Sequence, residues 1–142
     1  MDQPPPTLLA LLICDQVIQD PATGKHSLLG LFSRISTKGF PCVHPRLNVF
    51  VSLTDGHGKA SGRLRLARKG APEEAPPQVQ LSGMIEFPSP LAVVELVFNI
   101  VNLPLPAPGR YACDFYCNDV LLGSRPFEAA LAEGQPQRGG GA

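Results

Sequence analysis

The sequence predicts an all-β fold, a two-sheet antiparallel β-sandwich of about eight strands. Three observations predict it. Sixteen prolines are spread through the 142 residues, and proline breaks helix interiors and central strands because it lacks an N–H and clashes with the preceding turn. The apolar segments between the prolines have strand or hairpin length, and none shows a stripe at helical spacing. Several alternate apolar and polar side chains, as a strand with one buried face must. At 44% hydrophobic residues, the chain can fill one core.

The elements follow in order. A first strand over 8–19 is apolar on both faces as far as Cys14. Asp20-Pro21-Ala22-Thr23-Gly24 is turn chemistry, since Pro presets φ and Gly accepts the left-handed region. A returning strand over 26–36 carries Leu28, Leu29, Leu31, Phe32 and Ile35, and Lys38-Gly39-Phe40-Pro41 breaks it. Residues 46–54 alternate. Leu47, Val49, Val51 and Leu53 take one face, Asn48, Ser52 and Thr54 the other, and Phe50 is the exception. Asp55-Gly56-His57-Gly58 reads as a hairpin turn. In 60–69, Leu64 and Leu66 face in while Arg63, Arg65 and Lys69 face out.

A proline-rich loop over 70–77 leads to strands over 78–87 and 91–103, separated by Pro88-Ser89-Pro90. Val79, Leu81, Ile85 and Phe87 face in on the first, and Val94, Leu96, Phe98 and Ile100 on the second. A rigid 104–109 connection precedes a strand over 110–117 with Tyr111, Cys113, Phe115 and Cys117 on one face. Asn118-Asp119 suits a two-residue hairpin turn, because both residues tolerate positive φ. A strand over 120–131 closes the fold. The domain therefore spans 8–131, between a lead-in over 1–7 and a disordered Gly-rich tail over 132–142. Tyr111-Ala112-Cys113 after a proline-rich loop has the spacing of a tyrosine corner, which makes the expected architecture immunoglobulin-like. The chain has no tryptophan, so the comparison extends to architecture only.

Two segments and one ending resemble a family of small uncharacterised bacterial proteins. The segments are CDQVIQDPATGKHSLLGLFSRI from Cys14 and FPCVHPRLNVFVSLTDGHG from Phe40. The ending is the pattern of Pro108-Gly109, Tyr111, Asn118-Asp119, Leu122-Gly123 and Pro126-Phe127. The resemblance covers roughly 8–131. It implies a β-sandwich domain and brings no activity with it.

Composition excludes several functions. Twelve basic residues balance twelve acidic ones, so no general electrostatic grip on nucleic acid or on an anionic membrane is expected. Two tyrosines and no tryptophan argue against an aromatic platform for sugars or bases. The apolar run TLLALLIC follows Asp2 with no Lys or Arg before it, unlike a signal peptide, and is too short to span a bilayer. A cytoplasmic location with four free thiols is the expectation.

Five constellations could hold chemistry. Cys42 and His44, two residues apart, could anchor a metal or a thiol nucleophile, and the sequence places them in a turn. Cys113 and Cys117 are four apart on a strand, about 13 Å, too far to share a zinc or form a disulfide. Asp55-Gly56-His57-Gly58-Lys59 lacks the spacing of a phosphate loop. Asp15 stands where the first strand loses its apolar run, with no second carboxylate nearby in sequence. Arg63, Arg65 and Lys69 form a basic stripe.

The sequence thus points to a non-catalytic protein-interaction or assembly domain with no cofactor, whose partner is another protein or itself. One alternative is a small-molecule or metal-assisted enzyme built around Cys42 and His44. A further one is an anionic-ligand or nucleic-acid module on Arg63, Arg65 and Lys69.

Overall fold

A computed structural model describes residues 4–72 and 74–133. The expected tail from 134 onward and the first three residues of the lead-in lie outside this range. The described chain is all-β, with nine strands: β1 (Thr7–Gln19), β2 (His26–Leu31), β3 (Arg34–Thr37), β4 (Cys42–Thr54), β5 (Gly58–Arg68), β6 (Val79–Phe87), β7 (Val94–Leu105), β8 (Gly109–Cys117) and β9 (Val120–Leu131). They form a four-stranded sheet, order β2-β1-β4-β7, and a five-stranded sheet, order β3-β9-β8-β5-β6, which curls into a half-barrel. Among the described residues, no helix is long and apolar enough to cross a membrane.

The core lies between the sheets. Leu47, Val49, Val51 and Leu53 of β4 are fully buried against Leu64 and Leu66 of β5 and Tyr111 and Phe115 of β8. The alternation in β5 and β8 thus has its expected physical cause, one face buried and one not. Tyr111 stacks on Phe127 with ring centroids 5.5 Å apart, and its hydroxyl donates to the Ala107 carbonyl at 2.6 Å. That bond ties the proline-rich β7–β8 connection to the start of β8.

Three expectations need correction. First, the returning strand over 26–36 is two strands in different sheets. The chain is kinked at Gly30, whose φ of +73° suits glycine and where a Cβ would collide with the Asp15 carboxylate. The Phe32 amide donates to Ile13 O at 3.2 Å, and the chain then crosses to the other sheet, where β3 pairs with β9 in parallel. The sheets are therefore mostly, not wholly, antiparallel, and nine strands replace about eight. The apolar run from Leu28 to Phe32, with Ile35 beyond it, hid the break at Phe32-Ser33.

Second, Asp55-Gly56-His57-Gly58 is no hairpin turn, because β4 and β5 belong to different sheets. Gly56 is buried there, and a Cβ would strike the Phe87 ring. Third, Asn48 and Ser52, read as a polar outer face, are only 7% and 6% exposed, and Phe50 beside them is 7% exposed.

The β1–β2 hairpin buries them. In register, Cys14 faces Asn48, while His26 faces Gln19, five residues further along β1. Glu95 faces Ser52, four residues from Asn48 in the opposite direction. A straight β1 would hold His26 about 30 Å from Glu95 at the usual rise per residue. Instead His26 Nδ1 lies 2.6 Å from Glu95 Oε1, and the His26 ring meets the edge of Phe50 at 5.7 Å. The hairpin therefore folds back across the outer face of the four-stranded sheet. Asn48 Nδ2 donates to Asp15 O at 3.1 Å, at the bend.

At the far end, the Ala132 amide donates to Thr37 O at 2.7 Å, so backbone pairing continues to the first residue of the expected tail.

Candidate functional site

Cys42 and His44 stand in β4, not in a turn. β7 runs on to Leu105, so Cys42 and His44 gain partners in Leu105 and Leu103, and the ladder skips only Pro45 and Asn102. Asn102 has φ +54°, which interrupts the pleat where proline cannot donate. The two side chains do not converge. The His44 ring sits 6.2 Å from Phe32 in a recess with Asp15, Arg34 and Ser36. Cys42 lines a different, apolar recess of about 320 Å³ with Pro41, Val43, Pro104, Leu105 and Pro106. Among the described residues, no three His, Cys, Asp or Glu side chains come close enough to hold a metal ion.

The basic stripe is shorter than its spacing suggests. Arg63 and Arg65 do face outward from β5, but Lys69 lies one residue past the strand's end at Arg68. Arg63 is engaged. Its guanidinium lies 4.0 Å from the Tyr116 ring centroid, Nη1 donates to Gln80 Oε1 at 3.4 Å, and Nη2 is 3.7 Å from Asp119. Arg65 Nη2 donates to Ala75 O at 3.2 Å, and Arg68 Nη2 to Pro108 O at 3.3 Å. Asp15 is exposed at the β1 bend, and Asp55 accepts from the Thr7 hydroxyl at 2.8 Å.

Sequence reasoning missed Gln78. Its backbone amide donates to Leu66 O at 2.9 Å, which fixes it beside β5. Its side chain separates the Cys42 recess from a second one of about 450 Å³ lined by Arg65, Arg68, Asp114 and Tyr116. Gln78 Oε1 is buried and has no hydrogen-bond donor among the described residues. A lone glutamine at a strand start carries no sequence signal.

It missed the open edge as well. Among the described residues, β7 pairs only with β4, and β6 only with β5. Between these two edges lies a groove of about 270 Å³ that includes Met84, Glu95 and Val97. Met84 is 70% exposed, and Val97 and Val101 also show on β7.

The thiols differ in access. Cys14, Cys113 and Cys117 are buried and Cys42 is half-buried, all unpaired. Burial, with the Asp114 charge adding to it, pushes the Cys113 thiol up to about 12, and burial also raises Cys14 and Cys117. Unfolded, these thiols ionise near 9, so they bind fewer protons unfolded than folded above that pH. Their contribution to stability is complete below pH 9 and is lost as pH rises toward 12. Urea midpoints should therefore fall across that interval. A disulfide-forming thiol reagent near pH 8 should label Cys42 first in the native protein, and all four thiols after denaturation without reductant. Two or fewer labelled after denaturation contradicts the unpaired assignment.

No curated protein matches the chain. Residues 9–130 match the family of unknown function DUF6941, nearly the whole of the described β-domain, and the chain belongs to that family.

Proposed function

We propose that this is a non-catalytic immunoglobulin-like sandwich that assembles with a second copy of itself through the free edge of β7. The edge carries the reading. β7 is twelve residues long and, among the described residues, is hydrogen-bonded to one strand. Natural edge strands are normally guarded by lysine, proline or a bulge. Asn102, with its positive φ, and Pro104 guard the last part of β7, but residues 94–101 contain no lysine, arginine or proline, and their one charge, Glu95, is held by His26. Exposed Leu91 and Val93 lead into the strand, and Val97 and Val101 follow on its outer side. Two β7 edges related by a two-fold axis pair antiparallel, joining two four-stranded sheets into one.

The immunoglobulin-like assignment draws support from the strand order, the parallel β3–β9 pair and the Tyr111–Ala107 bond. Four unpaired thiols support a reducing, cytoplasmic setting.

Sedimentation equilibrium across the micromolar range tests the assembly. The wild type should be a dimer. Val97→Lys, which sets a charge on each protomer near the seam, should be a folded monomer by circular dichroism, with a melting temperature that no longer depends on protein concentration. A wild type that stays monomeric over this range refutes the proposal.

A further inference from the structure

We infer, resting on the β7 assembly proposed above, that this edge is proton-gated through His26. Protonated, His26 opens it to a second copy; deprotonated, it leaves Glu95 as a guard. Glu95 is the one charge among residues 94–101. An uncompensated charge protects an edge strand, because a docking strand must strip water from it and return nothing. Glu95, Val97, Asn99 and Val101 are the exposed positions of this segment. Opposed residues of antiparallel strands share a face. Across a two-fold seam here, Glu95 therefore meets a valine, an asparagine or another Glu95, and never a cation.

Neutralisation has to come from within the protomer, and His26 can supply it. Its Nδ1 lies 2.6 Å from Glu95 Oε1, with the His26 side chain 13% exposed and that of Glu95 40%. A neutral imidazole donating from Nδ1 leaves the pair with one negative charge. A proton added at Nε2 brings the pair to zero and keeps the same hydrogen bond. The other groups packed on His26 do not titrate. They are Gln19, opposite it on β1 and donating to Gly24 O, and the Phe50 ring of β4. Ser52 of β4 faces Glu95, and Ser82, Gly83 and Met84 of β6 share its groove. Asp20 and Lys25 at the hairpin turn, and Glu86 opposite Lys59, are exposed. Among the described residues, none of these four is ion-paired with His26 or Glu95. Because the proton lowers the cost of docking, the dimer holds more protons than two monomers. Assembly is then favoured at low pH and weakens as pH rises through the interval of about 5 to 8 in which histidines lose their charge.

Sedimentation equilibrium of the full chain at about pH 6 and about pH 8, at one ionic strength, tests the gate. The wild-type dissociation constant should rise about tenfold or more from the lower pH to the higher, since each protomer brings one such pair to the seam. Glu95→Gln removes the charge on the exposed side of the pair, and should give the tight dimer at both values. His26→Gln cannot take up the proton, and should give the weak dimer at both. Should that change loosen the hairpin, Glu95→Gln decides alone. A wild type that dimerises equally at both values overturns the gate and leaves the assembly standing. A pH dependence that survives Glu95→Gln does the same. A wild type monomeric at both values removes the assembly, and the gate with it.

Discussion

Leu64→Ala should lower the unfolding free energy by about 2–5 kcal/mol, the range for a buried leucine truncated to leave a cavity. Leu64 is fully buried, between Leu81 on β6 and Phe115 on β8 in register. Its neighbours along β5 behave differently, because adjacent side chains on a strand point to opposite faces. Arg65→Ala should stay within about 0.5 kcal/mol, as ordinary surface changes do. The alternation alone suggests the same for Arg63. Its stacking on Tyr116, with a side chain only 28% exposed, raises the expected loss to about 1 kcal/mol. Urea denaturation of the three variants measures all of this. If the arginine changes unfold the domain and the leucine change does not, the inward and outward faces of β5 are exchanged.

The elements that could be read from sequence share one physical property. β5, β6 and β8 each bury one face and expose the other, so burial leaves a period of two in the residue types. Asn118-Asp119 was legible for a related reason. A two-residue hairpin needs positive φ, observed here as +48° and +64°, and few residues tolerate it.

Where burial is two-sided or pairing is remote, the pattern fails. Ile13 and Cys14 are adjacent and both fully buried, so β1 shows no alternation that would mark its bend. The kink at Gly30 leaves no mark in the pattern because leucine and phenylalanine continue past it to the break at Phe32-Ser33. Cys42 and His44 belong to β4 only because β7 extends far enough to pair with them, which nothing near residue 42 announces. The candidate site was legible in part. The outward arginines of β5 followed from period two, while Gln78 and the β7 edge depend on which strands become neighbours. That is a property of the sheet order and not of any local segment.

Phe50→Ala should cost about 3–5 kcal/mol, the core value for phenylalanine, although Phe50 points away from the space between the sheets. The reason is the folded-back hairpin. Phe50 is 7% exposed on the outer side of β4, with the His26 ring against it and Asn48 and Ser52 buried to either side. Removing the ring takes away the apolar surface on which β2 rests. The His26–Glu95 contact alone cannot hold the hairpin down, since Glu95 is 40% exposed and such a pair contributes at most about 1 kcal/mol. Hydrogen exchange on Phe50→Ala should therefore show the β2 amides losing protection while those of β5 and β8 keep theirs, a local opening of the outermost layer. A double-mutant cycle between Phe50→Ala and His26→Ala should show coupling, because each change removes the other's packing partner. An unfolding free energy within about 0.5 kcal/mol of wild type for Phe50→Ala, typical of an exposed site, would mean that the hairpin does not cover β4.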